Sequence, residues 1–377
     1  MSVLFHSARR IDARGEVADA WVLIDGARIA AVGSGADAPG ADERIDLAGA
    51  RLVPGFIDLH GHGGGGHAFE DLGDDLTAAL STHRAHGTTR SVVSLVANPL
   101  PVLREQLAAI ADLAERDPLV LGAHLEGPFL SPQRAGAHDP AFLHTPHPGD
   151  VEALLDAARG ALRVVTVAPE LPGGLDAISR FAAAGAVAAV GHTEADAART
   201  AAAFDAGARI LTHAFNAMHG IHHRAPGPVP TAVADARVTL ELILDGEHVA
   251  PDVARMLLRS AHGRVALITD AMAAAGATDG EYRLGGLHVV VREGRAVVAG
   301  GDTIAGSTLT QDAALRRALE LGTAPAEAVA ALTLVPARAL GLDRRLGLLE
   351  PGWAADLVAL DEEWRVTGVW AEGARLR

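Results

Sequence analysis

Short apolar runs recur through the middle of the chain, and most are followed by a longer stretch rich in Ala and Leu. An apolar run without alternating polar positions is typical of a strand buried on both faces of a parallel sheet. Such strands alternating with helices predict an α/β fold, a (β/α)8 TIM barrel, with a doubly wound sheet as the alternative. The predicted strands lie at residues 52–59, 88–96, 119–125, 163–168, 186–190, 209–212, 238–244 and 265–269, with a β hairpin inserted at 280–298.

The two ends of the chain have a different pattern. Residues 20–24 and 28–32 are apolar runs on either side of an Asp-Gly pair, which predicts a β hairpin. Residues 355–360 and 365–370 are also strand-like. We therefore predict a second, small β-sandwich domain built from both chain termini. The predicted boundaries are 1–52 for its N-terminal part, 53–344 for the (β/α)8 barrel and 345–377 for its C-terminal part.

Histidines and carboxylates follow the C-terminal ends of six of the predicted barrel strands. In a TIM barrel these ends converge on one face, where active sites lie. We therefore expect the side chains to meet in the folded protein. They are His60 and His62 after the first strand, Glu126 at the third, His192 at the fifth, His213 at the sixth, His248 after the seventh and Asp270 at the eighth.

The residue types in this set suit a divalent metal. Glu126 ends a buried strand, and a buried carboxylate requires a cation or a proton. His60 and His62 are two residues apart, which puts both imidazoles on one side of an extended chain, although such a pair alone is more often a chance surface feature. Together with His192 and His213, these residues form the ligand set expected of zinc or another divalent ion.

Asp270 has two interpretations as a carboxylate at the end of an apolar strand. It is either the N-cap of a following helix or the general base of a metal-assisted hydrolysis. A general base takes a proton from water and passes it to the leaving group. We expect the second role because of the neighbouring histidines.

The segment 216–227 is polar and contains three histidines and Arg224. It is either a solvated surface loop or an anion-recognition loop, since Arg presents a fork of donors that suits phosphate. His138 and His248 are candidates to hydrogen-bond a polar substrate.

The composition narrows the class of function. A net charge of -15 argues against a nucleic-acid or anionic-membrane partner, and the absence of Cys excludes disulfides and thiolate sites. All 32 basic residues are Arg, which excludes a lysine Schiff base and a carboxylated lysine that bridges two metals. No run of about 18 apolar residues occurs, so we expect a soluble, cytoplasmic protein.

Seven motifs connect the candidate residues into one pattern. They are Pro-Gly-Phe-Ile-Asp-Leu-His-Gly-His (54–62), His-Leu-Glu-Gly-Pro-Phe (124–129), Gly-His-Thr (191–193), Thr-His-Ala-Phe-Asn-Ala-Met (212–218), Thr-Asp-Ala (269–271), Gly-Ser-Thr-Leu-Thr (306–310) and Pro-Gly-Trp-Ala-Ala-Asp-Leu-Val (351–358). The chain thereby resembles, over nearly its whole length, the amidohydrolase superfamily and, within it, the N-acetylglucosamine-6-phosphate deacetylases. The first and last motifs are specific only to the superfamily, whereas 124–129 and 212–218 are much more specific to the deacetylases.

The resemblance implies an activity and a role for each matching residue. The activity is hydrolysis of the acetamide of N-acetylglucosamine 6-phosphate to glucosamine 6-phosphate and acetate in amino-sugar catabolism, with Asp270 as catalytic acid and base. The cofactor is one or two divalent ions per subunit, zinc with iron as the alternative. The implied metal ligands are Glu126, His192, His213, His60 and His62, and the implied substrate-binding residues are His138, Asn216, Ala217, Arg224, His248 and Ser307.

The resemblance also implies a homodimer in which Arg224 reaches the neighbouring subunit's site, and no partner other than the small phosphorylated sugar. Another enzyme of the superfamily, an adenine deaminase or a cyclic amidase, is the alternative. Cyclic amidases commonly use a carboxylated lysine, which a chain without Lys cannot form. A metal-free scaffold of the same fold is the alternative from another class of protein.

Overall fold

The computed structural model describes residues 1–377, which form 21 β-strands and ten α-helices. The strands are β1 (Ser2–Asp12), β2 (Gly15–Asp25), β3 (Arg28–Ser34), β4 (Glu43–Asp46), β5 (Arg51–Pro54), β6 (Phe56–Asp58), β7 (Gly63–Gly64), β8 (His67–Ala68), β9 (Thr88–Val96), β10 (Val120–Glu126), β11 (Leu162–Val167), β12 (Val187–Val190), β13 (Ile210–Leu211), β14 (Thr239–Ile243), β15 (Val265–Ile268), β16 (Gly280–Leu284), β17 (Leu287–Arg292), β18 (Arg295–Val298), β19 (Leu357–Leu360), β20 (Val366–Ala371) and β21 (Ala374–Arg375).

The helices follow most of the barrel strands, as the alternating pattern predicts. They are α1 (Gly73–Ala85), α2 (Leu100–Arg116), α3 (Pro148–Ala158), α4 (Gly174–Ala183), α5 (Ala197–Asp205), α6 (Pro228–Ala234), α7 (Pro251–Ser260), α8 (Gln311–Glu320), α9 (Pro325–Leu332) and α10 (Leu334–Ala339). None of them is both long enough and apolar enough to span a bilayer.

Eight parallel strands form the barrel sheet, in the order β15-β14-β13-β12-β11-β10-β9-β6. Beyond the strand ends, a parallel bridge joins Gly61 to Ala271, and the N–H of Asp270 donates to the carbonyl of His60 over 2.8 Å. These contacts connect the end of the first strand to the end of the last, so the barrel nearly closes. The predicted (β/α)8 barrel is confirmed, and the doubly wound alternative is wrong.

The first predicted barrel strand, 52–59, consists of two strands that belong to different sheets. Strand β5 pairs with β1 and β19, whereas β6 belongs to the barrel sheet. Gly55 lies between them, and a Cβ at that position would lie 2.1 Å from Oγ1 of Thr89. Glycine is therefore required at the point where the chain changes sheets, because any other residue would clash with the threonine side chain.

Strands from both chain ends form a second sheet of eight strands, in the order β21-β20-β19-β5-β1-β2-β3 with β4 paired to β1. Its core contains Phe5, Leu52 and Trp370, and the ring of Phe5 meets that of Trp370 edge-on at 4.8 Å. Arg90 donates to both carboxylate oxygens of the buried Asp356, at 2.6 and 3.1 Å. The prediction of a small β domain built from both termini is confirmed.

The inserted segment after β15 forms three antiparallel strands, β16 to β18, rather than the predicted two-stranded hairpin. Its apolar side chains Leu284, Val289 and Val291 pack with Val96 and Met272 from the barrel. This small sheet therefore covers part of the face on which the barrel strands end.

The chain divides into two compact units. One comprises Met1–Asp58, Ser81–Arg90 and Gln311–Arg377, and the other comprises Leu59–Leu80 and Ser91–Thr310. All the candidate site residues belong to the second unit. The domain boundaries at 52/53 and 344/345 stay a prediction.

Candidate metal centre and active site

The candidate site residues leave the barrel strands where these strands end. Glu126 is the last residue of β10, and His192, His213 and Asp270 each lie two residues beyond a barrel strand. The backbone of these last three is left-handed, with φ of 46°, 25° and 47°. Such conformations cost roughly 1–3 kcal/mol each in residues other than glycine and cluster at functional sites. Their concentration here indicates that the positions of these side chains matter more than local stability.

Glu126, His192 and His213 form a first group of possible metal ligands, and all three are buried. Oε1 of Glu126 lies 3.1 Å from Nε2 of His192 and 3.0 Å from Nε2 of His213. The two imidazole nitrogens are themselves only 3.0 Å apart. Three potential ligand atoms therefore surround one small volume.

The hydrogen bonding of His192 determines that, in the neutral ring, Nε2 rather than Nδ1 has the lone pair. Nδ1 of His192 lies 2.7 Å from the main-chain carbonyl of Arg134, and a carbonyl oxygen only accepts, so Nδ1 carries the hydrogen. In the neutral ring Nε2 then presents a lone pair to an oxygen of Glu126 and to a nitrogen of His213. Lone pairs that face one another at this distance are stabilised by a cation between them.

His60, His62, Glu126 and Asp270 form a second group, which shares Glu126 with the first. Nε2 of His62 lies 3.2 Å from Oε2 of Glu126 and 3.3 Å from Oδ1 of Asp270. Nε2 of His60 lies 3.1 Å from Nε2 of His62. The carboxylate of Glu126 thus faces both groups: Oε2 lies near His62, whereas Oε1 lies near His192 and His213 and is also 3.3 Å from Nε2 of His60.

The pKa values within these groups reflect two buried carboxylates among several imidazoles. Burial alone would lower the pKa of His60 and of His62. The nearby Glu126 and Asp270 together have the larger effect and raise the pKa of His60 well above its usual range and that of His62 to about 9. Burial alone would raise the pKa of Asp270, but the nearby His60 lowers it to about 2. The ionised carboxylates require positive charge beside them, which a divalent ion supplies in place of imidazole protons. The residues present therefore fit a divalent metal.

A cavity of about 250 Å³ lies beside both groups. Nine of the predicted site residues line it, together with apolar side chains that include Leu284 and Ile304 from the inserted sheet and the segment after it. The nine are His62, Glu126, His138, His192, His213, Asn216, Ala217, His248 and Asp270. The sequence-based grouping of these residues therefore corresponds to one site in space.

Three predicted site residues do not line the cavity. His60 is completely buried beneath it. The hydroxyl of Ser307 donates to the carbonyl of Thr269 over 2.5 Å, so it supports the turn that carries Asp270. Arg224 is exposed, and its Nη1 lies 2.6 Å from Nε2 of the neighbouring His223. Roles for Ser307 and Arg224 in binding substrate stay predictions.

Three further residues at the site are not among the predicted site residues. Glu241 lies within β14 and contacts His60, Asp245 holds Nδ1 of His248 at 2.6 Å, and the ring of His124 meets that of His60 at 4.5 Å. A carboxylate in the middle of the apolar run Leu-Glu-Leu-Ile is a signal that points to Glu241. His124 is the first residue of the motif 124–129, and Asp245 directly follows the predicted strand 238–244, so the sequence offers a signal for these two residues as well.

Residues 51–375 match the profile of the Amidohydrolase family. The N-acetylgalactosamine-6-phosphate deacetylase of Escherichia coli O157:H7 is 42% identical over 327 residues, which cover 85% of this chain and 86% of that protein. The N-acetylglucosamine-6-phosphate deacetylase of Bos taurus is 35% identical over 347 residues, covering 88% of this chain and 85% of the relative.

Solved structures give the same result over the full length. An N-acetyl-D-glucosamine-6-phosphate deacetylase from Mycobacterium smegmatis, an aspartate-to-alanine variant in complex with N-acetyl-D-glucosamine-6-phosphate, superposes with a TM-score of 0.95. It is 43% identical, and the match covers 100% of this chain and 99% of that one.

Proposed function

Because the chain belongs to the amidohydrolase family, we propose that it hydrolyses the acetamide of N-acetylglucosamine 6-phosphate, releasing acetate and glucosamine 6-phosphate. The observation that carries most weight is the position of Asp270. It is an ionised carboxylate on the wall of the cavity, and its Oδ1 lies 3.3 Å from Nε2 of His62, a candidate metal ligand. A base and a metal position side by side are what hydrolysis of an amide requires.

In this proposal Glu126, His192 and His213 would hold the principal ion, and His60 and His62, together with Glu126, would hold a second. When bound, a divalent ion contributes Lewis acidity towards the amide carbonyl and the attacking water. Zinc fits a set of imidazole and carboxylate ligands, with iron as the alternative.

Asp270 moves the proton in the reaction. Its carboxylate accepts a proton from the water that attacks the carbonyl carbon, and the protonated acid then delivers that proton to the departing sugar amine. The low pKa of Asp270 keeps its carboxylate ionised at neutral pH, which is the form that accepts a proton. The same group therefore serves first as base and then as acid.

His138 stabilises the developing oxyanion in this mechanism. Its Nδ1 accepts the main-chain N–H of Ala97 over 3.2 Å, and burial lowers its pKa to about 4, so the ring is neutral and Nε2 carries the hydrogen. This N–H lies 3.4 Å from Oε2 of Glu126 at the edge of the cavity. It is therefore available to donate to the carbonyl oxygen as negative charge develops there.

His248 and Asn216 line the cavity and bind the polar groups of the sugar phosphate in this proposal. Arg224 is exposed, and we assign it to the phosphate in the site of a neighbouring subunit of a homodimer. A cytoplasmic location stays a prediction.

Acetate release measures the proposed activity directly. We expect release from N-acetylglucosamine 6-phosphate, loss of activity after chelation, recovery with Zn²⁺, and much weaker activity on the unphosphorylated sugar.

The 4-epimer, N-acetylgalactosamine 6-phosphate, is a second candidate substrate because the Escherichia coli O157:H7 relative is an N-acetylgalactosamine-6-phosphate deacetylase. The ratio of kcat/KM for the two epimers decides between them. Release of ammonia from adenine with no release of acetate would contradict the proposal.

The charge of His248 predicts how KM depends on pH. Burial alone would lower the pKa of His248. Asp245, whose Oδ2 lies 2.6 Å from Nδ1 of the ring, instead raises this pKa above its usual value. Asp270 and Glu247 also raise it. The imidazolium binds a phosphate more strongly than the neutral ring does. We therefore expect KM for the phosphorylated sugar to be low below this pKa and to rise as pH increases through it.

The measurement is KM between about pH 6.5 and 9, where the phosphate stays mostly dianionic. H248Q should raise KM about tenfold at the lower end and flatten the profile, because a charge-assisted hydrogen bond is lost. D245N should move the rise in KM to lower pH. The unphosphorylated sugar is the control, and an equal pH dependence of its KM would show that His248 does not contact the phosphate.

A further inference from the structure

Glu241 is a completely buried carboxylate that has no part in the chemistry described above. It lies in β14 between Leu240 and Leu242, and it does not line the cavity. An ionisable side chain in the interior of a barrel strand is costly unless it makes a specific contact. Its contacts therefore indicate what it does.

The carboxylate of Glu241 contacts both groups of candidate metal ligands. Its Oε2 lies 3.3 Å from Nδ1 of His60 and accepts the main-chain N–H of His213, also over 3.3 Å. The other oxygen, Oε1, has no hydrogen-bond partner. One oxygen atom thus links a side chain in one group to the left-handed backbone of a residue in the other.

The contact with His60 determines which nitrogen of that ring is free. An ionised carboxylate can accept hydrogen bonds but cannot donate them. In the contact with Glu241, Nδ1 of His60 therefore carries the hydrogen. In the neutral ring that a metal ligand requires, Nε2 then has the lone pair. Nε2 lies 3.3 Å from Oε1 of Glu126 and 3.1 Å from Nε2 of His62.

His124 packs against His60 but does not supply this polar contact. Its ring meets that of His60 edge-on at 4.5 Å. Both of its nitrogens are engaged elsewhere, Nδ1 with the hydroxyl of Ser94 and Nε2 with that of Thr166, each at 2.9 Å. His124 therefore limits the tilt of the His60 ring, whereas Glu241 contacts its outer nitrogen.

We propose that Glu241 is a positioning residue of the metal centre, which holds His60 with Nε2 directed at the shared Glu126 and supports the backbone of His213. This inference rests on the proposed metal site and deepens it. A carboxylate bonded to the outer nitrogen of a ligating histidine typically contributes a factor of about 10 to 100 in metal affinity. Glu241 therefore sets how tightly the ion beside His60 is held, without touching the sugar.

The test compares E241L and E241Q with the wild-type protein. Zn²⁺ affinity is measured by competition with a chromophoric chelator, and the ligand geometry by the visible absorption of the Co²⁺-substituted protein. We expect E241L to bind the ion beside His60 about 10- to 100-fold more weakly, with an altered Co²⁺ spectrum. E241Q retains a carbonyl acceptor for Nδ1–H, so it should lose less affinity. KM for the sugar should stay unchanged in both variants.

E70L is the matched control. Glu70 is a half-buried carboxylate in the second unit, but it accepts the main-chain N–H groups of Val96 and Gly285 and hydrogen-bonds none of the candidate ligands. If Glu241 were only structural, E241L and E70L would both lower the melting temperature and leave the Co²⁺ spectrum and Zn²⁺ affinity at their wild-type values. That outcome overturns the proposal.

A wild-type protein that binds no divalent ion overturns both this proposal and the proposed metal site. Absence of acetate release from a protein with normal metal binding contradicts only the proposed substrate.

Discussion

Replacing Asp270 by Asn should lower kcat by about 10³- to 10⁴-fold while leaving an ion bound. The amide has nearly the shape of the carboxylate but cannot accept a proton from water or return it to the sugar amine, and general acid–base catalysis contributes up to about this factor. Glu126, His192 and His213 form their group without Asp270, so the principal ion should remain. Acetate release under saturating substrate, measured beside the metal content of the same sample, checks both statements.

Asp112, exposed on α2, is the control position, and D112N should have wild-type kcat. KM for D270N should change little, because the lost interaction belongs to the transition state. Full turnover by D270N with the ion still bound would remove Asp270 from the acid and base role. A loss of metal together with activity would instead assign Asp270 to metal binding.

Replacing Glu126 by Gln should release metal from both groups and lower kcat/KM by at least about 10³-fold. Glu126 is the one residue common to the two groups, and each of its oxygens lies near 3 Å from a candidate ligand of one of them, 3.0 Å for His213 and 3.2 Å for His62. Lewis-acid stabilisation of the transition state is worth several kcal/mol, and each 1.4 kcal/mol corresponds to about a factor of ten.

Metal content after dialysis and acetate release are measured together for this variant. E70Q carries the same substitution at a half-buried carboxylate that hydrogen-bonds none of the candidate ligands, and it should keep its metal. Excess Zn²⁺ should restore part of the activity of E126Q, since two histidines remain in each group. E126Q with wild-type metal content would show that Glu126 does not ligate an ion.

Much of the barrel is encoded locally. Each buried strand is a short apolar run, and most of these runs are followed by a helix, so the fold class follows from the periodicity. The same locality explains why Glu126, His192, His213 and Asp270 could be found: parallel barrel strands bring their C-terminal ends together, whatever the side chains are. The inserted sheet was underestimated by one strand, because the third strand, β18, pairs with β17 over only four residues.

The change of sheet at Gly55 was not predictable from the apolar pattern. Apolar residues stand on both sides of Pro54-Gly55, and this dipeptide signals a break in the strand but not a move to another sheet. The need for glycine at this point depends on Thr89, which is 34 residues away in sequence and occupies the space of a Cβ at position 55. Contacts of this kind are decided by packing between distant segments.

The sequence by itself determined the barrel, the small domain from both termini and the set of strand-end residues that meet on one face. Only the tertiary structure decided how these side chains are held. The carbonyl of Arg134 selects the protonated nitrogen of His192 across 58 residues of sequence, and Glu241 contacts His60 across 181. Hydrogen bonds between residues so far apart depend on the closed barrel, whereas strand and helix periodicity depends only on neighbouring residues.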